Sequence, residues 1–151
     1  MARTADGTIF GVSSAAPAAF DEAGYTALTM TDVGEVVDIG EIGATFADVT
    51  TYNLSSRDVG HLKGSRDYGE TPITVDNERT DAGQIILRDH QNGANVDVPV
   101  ACKITHQNGD VEYYMALVYS FASQSLAQDT VYRATVSMRV QPGTYVFVAA
   151  A

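Results

Sequence analysis

The last third of the chain is written in a two-residue period, and that period excludes a helical fold for it. Val96, Val98, Val100, Cys102 and Ile104 form one set, and Asp97, Lys103 and Thr105 fall between them. A spacing of two places each set on one face of a strand, whereas a helix would scatter them around its axis. Asn108-Gly109 follows inside "QNGD", the strongest short hairpin signal. From Val111 to Phe121 the chain is apolar on nearly both faces, through Val111, Tyr113, Met115 and Leu117 and then Tyr114, Ala116 and Val118. A strand of that kind belongs in the middle of a sheet. A polar turn over 123–129 leads to a last long strand. There Tyr132, Ala134, Val136, Met138 and Val140 face inward, while Arg133, Thr135, Ser137 and Arg139 face outward. Antiparallel β structure is therefore the starting point.

The earlier sequence extends the pattern less cleanly. "VGEVVDIGEI" (33–42) reads as a strand, yet neither alternating set is wholly apolar. Core on one side and water or another subunit on the other would account for it. With 45–52 it is expected to form a hairpin. A long polar excursion, 53–67, comes next, and 68–76 reads as extended, with Pro72 marking an edge or a bulge. One short helix is expected over about 82–91. Asp81 and Gln84 have capping-box spacing, Ile85 and Ile86 with Ala82 form a short stripe, and Asn92-Gly93 supplies the stop. Residues 1–23 are small and polar and read as an N-terminal arm. Residues 142–151 read as a short apolar C-terminal tail. The expected fold is a single, mainly β domain over 1–151, an antiparallel sandwich or partly closed barrel with one short α-helix.

Charge and cysteine content narrow the function. Nine basic residues against 19 acidic ones give a net charge of −10, which disfavours an ordinary nucleic-acid binder with its basic phosphate contacts. The single cysteine, Cys102, leaves no disulfide framework and no multi-cysteine zinc site. No apolar run has the length of a membrane span or of a signal-peptide core, so cytoplasmic synthesis and no membrane partner are expected.

No catalytic pattern stands out. His61, His90 and His106 sit in no spaced ligand motif. Cys102 and His106 share a strand face and would make half of a metal site, but the better reading is structural, with Cys102 in the core and His106 at a strand end beside the turn. "DNERTDAG" (76–83) is acidic but lacks EF-hand spacing and reads as a strand exit followed by a helix cap. "HLKGSRD" (61–67) lacks the phosphate-loop pattern. Tyr113-Tyr114 reads as packing or as a sugar platform. No cofactor, metal ligand or catalytic residue is assigned, and the chain is read as a non-enzyme.

The order of features resembles one family. An arm, "VGEVVDIGEIG", "FADVTTYNL", a polar segment ending "HLKGSRDYGE", the short helix "DAGQIILRDH" and then three strands with an Asn-Gly hairpin resemble the tail-tube (major tail) proteins of long-tailed phages and gene-transfer particles. Asp48-Val49-Thr50 matches a "DVT"-like strand end. Lys63-Gly64-Ser65-Arg66-Asp67-Tyr68-Gly69 is a compressed form of the segment that follows it in the family. The resemblance covers roughly Gly34 to Val140. It implies a structural virion protein, made in the host bacterial cytoplasm, whose copies form stacked hexameric rings. Those rings make a hollow conduit for DNA that is not specifically bound, with other tail proteins at its ends. It further implies that the 53–67 excursion is an assembly loop, with Leu54, Arg57, Asp58, His61 and Lys63 reaching a neighbour. Glu35, Asp38 and Glu41 are the candidate acidic residues of the lumen. The competing readings are a carbohydrate- or ligand-binding β-sandwich, with Tyr113-Tyr114 and the polar loops as its site, and a small hydrolase whose site is assembled in space.

Overall fold

The computed structural model describes residues 2–124 and 126–151. One sheet organises most of the chain. Along its path lie β2 (Thr31–Asp32), β1 (Ile9–Ser13), β7 (Val100–Thr105), β8 (Val111–Ser123), β9 (Arg133–Val140), β6 (Glu70–Asp76) and β3 (Val36–Ile39), and every neighbouring pair is antiparallel. A short tenth strand, β10 (Val146–Val148), pairs with the start of β8 on the side away from β7. The expected β7–β8 hairpin turns at Gly109, whose φ of 96° is the left-handed value that such a turn needs. The sheet is not closed into a barrel: β2 and β3 are its edges.

β8 is central because it is apolar on both sides. Tyr114, Ala116 and Val118 enter the main core with Phe10, Val12, Ile73, Val75, Cys102, Val136 and Met138. The helix α2 (Ala82–Asn92) covers that face through Leu87, which is fully buried. Each such side chain contributes about 1.5–3 kcal/mol by leaving water. Tyr113 and Met115 point to the opposite face. There Tyr25, from the short helix α1 (Glu22–Thr26), stacks on Tyr113 with ring centroids 5.1 Å apart. The Tyr25 hydroxyl donates to the Thr144 carbonyl at 2.7 Å and ties α1 to the C-terminal segment.

The sequence reading needs correcting in several places. Residues 1–23 are not all arm: Ile9–Ser13 is a strand between β2 and β7, with Phe10 and Val12 in the core. The 142–151 tail contains β10. Residues 33–42 do not pair with 45–52, because β3 pairs with β6. The register of that pairing shifts between Val36 and Asp38, so Val36 and Ile39, three apart, both pack on the core. A bulge of this kind is why neither alternating set was wholly apolar. Helix α2 lies where expected, but its buried positions are Gly83, Gln84, Leu87 and His90, and Ile85 is exposed. Val96 and Val98 precede β7, and Tyr132 precedes β9; all three are exposed. The expected turn over 123–129 includes Ser125, which lies outside the described residues.

The α2 N-terminus locks the approach to β3. Asp81 accepts from the Gln84 backbone N–H at 3.0 Å, the N-cap bond its sequence position predicts, and also from the Gly34 N–H at 3.1 Å. The Gln84 side chain does not complete a capping box. It accepts from the Glu78 N–H at 3.0 Å and donates to the Asp76 and Gly34 carbonyls at 2.9 and 3.2 Å. The helix can approach this closely because residue 83 is glycine: a Cβ there would lie 2.6 Å from Val33 Cα.

Candidate assembly interface

The segment expected as a polar loop is the far half of a two-stranded hairpin. β4 (Thr45–Tyr52) and β5 (Val59–Asp67) pair antiparallel from Thr45↔Asp67 to Tyr52↔Val59, with an irregularity between Phe46 and Asp48. This is a sheet of its own, separate from the main one. Asn53 to Asp58 is the tip. The Asn53 side chain accepts from the Ser55 N–H at 2.9 Å, and the Ser56 hydroxyl accepts from the Asp58 N–H at 3.1 Å. Side chains that bond their own backbone favour turns, which is why this stretch is polar.

All of β4 and all of β5 except Gly64 are exposed. Phe46, Val49, Tyr52, Leu54, Val59 and Leu62 are large apolar side chains facing water, Tyr52 at 82% exposure. A strand with water on both faces carries no inside-outside alternation, so the period that reveals the other strands is absent from β5. A cross-strand reading of Val49 with Leu62 and Tyr52 with Val59 around the Asn53–Asp58 turn is the signal that could have found it.

The register sorts the hairpin into two faces. On one, His61 Nδ1 lies 2.9 Å from the Asp48 carboxylate, and Lys63 Nζ stands 4.9 Å from the Phe46 ring centroid. Thr50 pairs with His61 and Tyr52 with Val59 on that same face. The opposite face carries Ala47, Val49 and Thr51 from β4, and Gly60, Leu62 and Gly64 from β5. A Cβ built on Gly64 would meet Val49 Cγ2 at 3.0 Å, and one on Gly60 would meet Thr51 Oγ1 at 2.5 Å, which fixes this side.

The five candidate loop residues therefore separate. Leu54, Arg57 and Asp58 are at the tip, and His61 and Lys63 are on β5, on the charged face. The three candidate acids sit at the open β3 edge, all exposed. Glu35 precedes the strand with a φ of 61°, Asp38 is in it, and Glu41 follows it. A groove of about 500 Å³ runs between β3 and the N-terminal segment, lined by Asp6, Thr8, Val36, Asp38, Ile104 and Glu112 among others. At its end, His106 Nε2 lies 2.8 Å from Glu112, whose other oxygen accepts from the Tyr145 hydroxyl. The candidate loop residues belong to the β4–β5 hairpin and the candidate acids flank β3 in the main sheet.

The tyrosine pair and the cysteine are both placed as packing residues. Tyr114 is fully buried in the core and Tyr113 is covered by Tyr25, so the pair offers no flat platform for a sugar. Cys102 is buried and its thiol pKa is pushed up by that burial, the reverse of an activated nucleophile. Among the described residues, no three of His, Cys, Asp and Glu are grouped as a metal would need, and no helix is long and apolar enough to cross a membrane.

No protein-family model matches this sequence, and no curated protein matches it. Solved structures do. A chain of the PVC sheath/tube terminator, from an extracellular contractile injection system in its extended state, superposes with a TM-score of 0.69 at 7% identity, over 99% of this chain and 98% of that one. The SPP1 tail tube gives a TM-score of 0.62 at 13% identity, over 95% of this chain and 77% of that one. The chain has the tail-tube fold. A chain of the PVC sheath-tube complex adds a TM-score of 0.59 at 8% identity, over 95% of this chain and 88% of that one. At such identities it is the fold that is shared.

Proposed function

We propose that this chain is a structural virion protein whose copies assemble through the β4–β5 hairpin into stacked rings of six that form a hollow tail tube for DNA. One observation carries the reading: a long hairpin, outside the main sheet, holds six large apolar side chains in water. A lone subunit gains nothing from such a feature, and exposed apolar surface of this extent marks an interaction site. The tail-tube fold supplies the context. The partner is the chain itself, with other tail proteins at the tube ends, and the role is not catalytic. Synthesis is in the host bacterial cytoplasm and the final location is the virion tail. An excess of acidic residues suits a bore that must let DNA slide without holding it.

The test is electron microscopy of the purified protein over a range of concentrations. Rings or hollow tubes are expected. A particle that stays monomeric by native mass at every concentration, also with a preformed tail tip added, would overturn the reading. Glu35, Asp38 and Glu41 are proposed to face the bore, and a tube map in which they point outward would remove that assignment. The resemblance to a sheath/tube terminator favours a second reading, a ring that caps a tube. Single rings that never stack would select it.

A further inference from the structure

We propose that Arg79 and Arg88, with the hydroxyl of Tyr132 between them, form a binding site for a small oxyanion of the phosphate class. The site lies away from the hairpin and does not depend on how copies assemble.

The ends of β6, β8 and β9 meet beside α2, and Asn77 ties them together. Its N–H donates to the Tyr132 carbonyl at 2.8 Å, and its side-chain amide donates to the Ser123 hydroxyl at 3.4 Å. Its side-chain carbonyl accepts from Arg88 Nη2. Arg88 reaches this point from α2. Its guanidinium lies 4.5 Å from the Phe121 ring centroid and also donates to Gln84 Oε1 at 3.4 Å. A long side chain held in this way is positioned before a ligand arrives, which spares the entropy of fixing it on binding. Arg79 comes from the connection between β6 and α2, is exposed, and donates to the Tyr132 hydroxyl.

No carboxylate answers these two charges. Arg133 is paired with Asp76 at 2.9 Å and Arg139 with Glu70 at 3.5 Å, but among the described residues neither Arg79 nor Arg88 has an ion pair. The acids in reach are engaged elsewhere. Glu78 accepts from the Thr80 N–H and hydroxyl at 3.2 and 2.8 Å, and Asp81 accepts from the Gln84 and Gly34 N–H groups. Burial, and after it the charge of Arg79, holds the Arg88 guanidinium below its ordinary pKa. The hydrogen bond to Ser123, helped by Arg79 and Arg88, holds the Tyr132 phenol below its own. Two like charges kept together while nearby carboxylates turn away make a local positive excess in a chain of −10. An anion placed between them relieves it. Guanidinium forks recognise oxyanions through paired N–H bonds. A phosphate has oxygens enough for both forks and a hydroxyl, whereas a carboxylate has only two to share.

The test is the melting temperature of the free subunit, below the concentration at which particles form, titrated with sodium phosphate against sodium chloride at matched ionic strength and pH. Sodium acetate is the carboxylate probe. Phosphate is expected to raise the melting temperature along a saturating curve, by about 3–6 °C at ten times the half-saturating concentration, with acetate well below it. Phosphate also stabilises folded proteins by exclusion from their surface, but that effect does not saturate and needs no arginine. Arg79→Gln is therefore expected to lose the saturating part, while Arg57→Gln, at the hairpin tip, keeps it. Should Arg79→Gln fail to fold, Arg79→Lys takes its place. It keeps the charge without the fork, and the half-saturating concentration is expected to rise about tenfold, a change of about 1.4 kcal/mol. A phosphate curve equal to the chloride curve overturns the site, as does a saturating response that survives at full strength in the Arg79 variant or is lost in Arg57→Gln.

Discussion

At the scale of residues, Gln84 is the most consequential polar side chain. It is fully buried and satisfies three backbone groups from two separate segments. Gln84→Leu keeps the bulk but strands the Glu78 N–H and two carbonyls, so a loss of about 2–4 kcal/mol is expected in a urea melt, at the scale of unmade buried hydrogen bonds. Tyr25 gives a pH-dependent counterpart. Burial pushes its phenol pKa up to about 12 from 10, a folded value above the unfolded one. Its contribution is therefore whole below pH about 10 and is lost as pH rises toward 12. Tyr25→Phe is expected to lower stability at neutral pH by about 1 kcal/mol through the lost bond to Thr144. It should also flatten part of the alkaline decline, read as melting temperature from pH 8 to 12. The buried Tyr114 and Cys102 move in the same direction, so the decline is reduced and not abolished.

At the scale of elements, the hairpin and the sheet are independent. β4 and β5 bond to each other and not to the eight-stranded sheet. Replacing residues 46–66 by a short glycine linker is expected to leave the melting temperature of the subunit within a few degrees and to abolish particle formation. An unfolded product would show that the hairpin supports the core after all. This element also marks a boundary of legibility. The strands around β8 were readable because one or both of their faces are buried, which writes burial into the residue order. β5 reads as a loop because neither face is buried within the subunit. β3 reads as a strand, but adjacency in sequence favours the next strand as its partner, whereas β6 pairs with it through a bulge.

At the scale of the whole molecule, charge and exposed apolar surface oppose each other. The chain carries −10 while the hairpin is neutral. If copies join through that neutral hairpin, the dominant electrostatic term is repulsion between acidic bodies. Salt screens that repulsion, with a Debye length of about 30 Å at 0.01 M and about 8 Å at 0.15 M. Assembly is thus expected to start at a lower protein concentration as sodium chloride rises from the first value to the second, measured by sedimentation. A rise in the threshold would indicate an interface built on opposite charges.

What the sequence determined by itself was local. Alternation in 100–105 and 133–140, apolar content on both faces of 111–118, the Asn-Gly turn and the Asp81 cap were legible because each depends on neighbours a few residues apart. The tertiary structure alone decided what depends on distant partners. It made Ile9–Ser13 a sheet strand by supplying β7 beside it, and it closed Tyr25 onto Tyr113 and Thr144 across more than eighty residues. It also left Val59–Asp67 paired to Thr45–Tyr52 with nothing from its own chain to cover it. A hairpin bare on both faces has no burial pattern within one chain for the sequence to record.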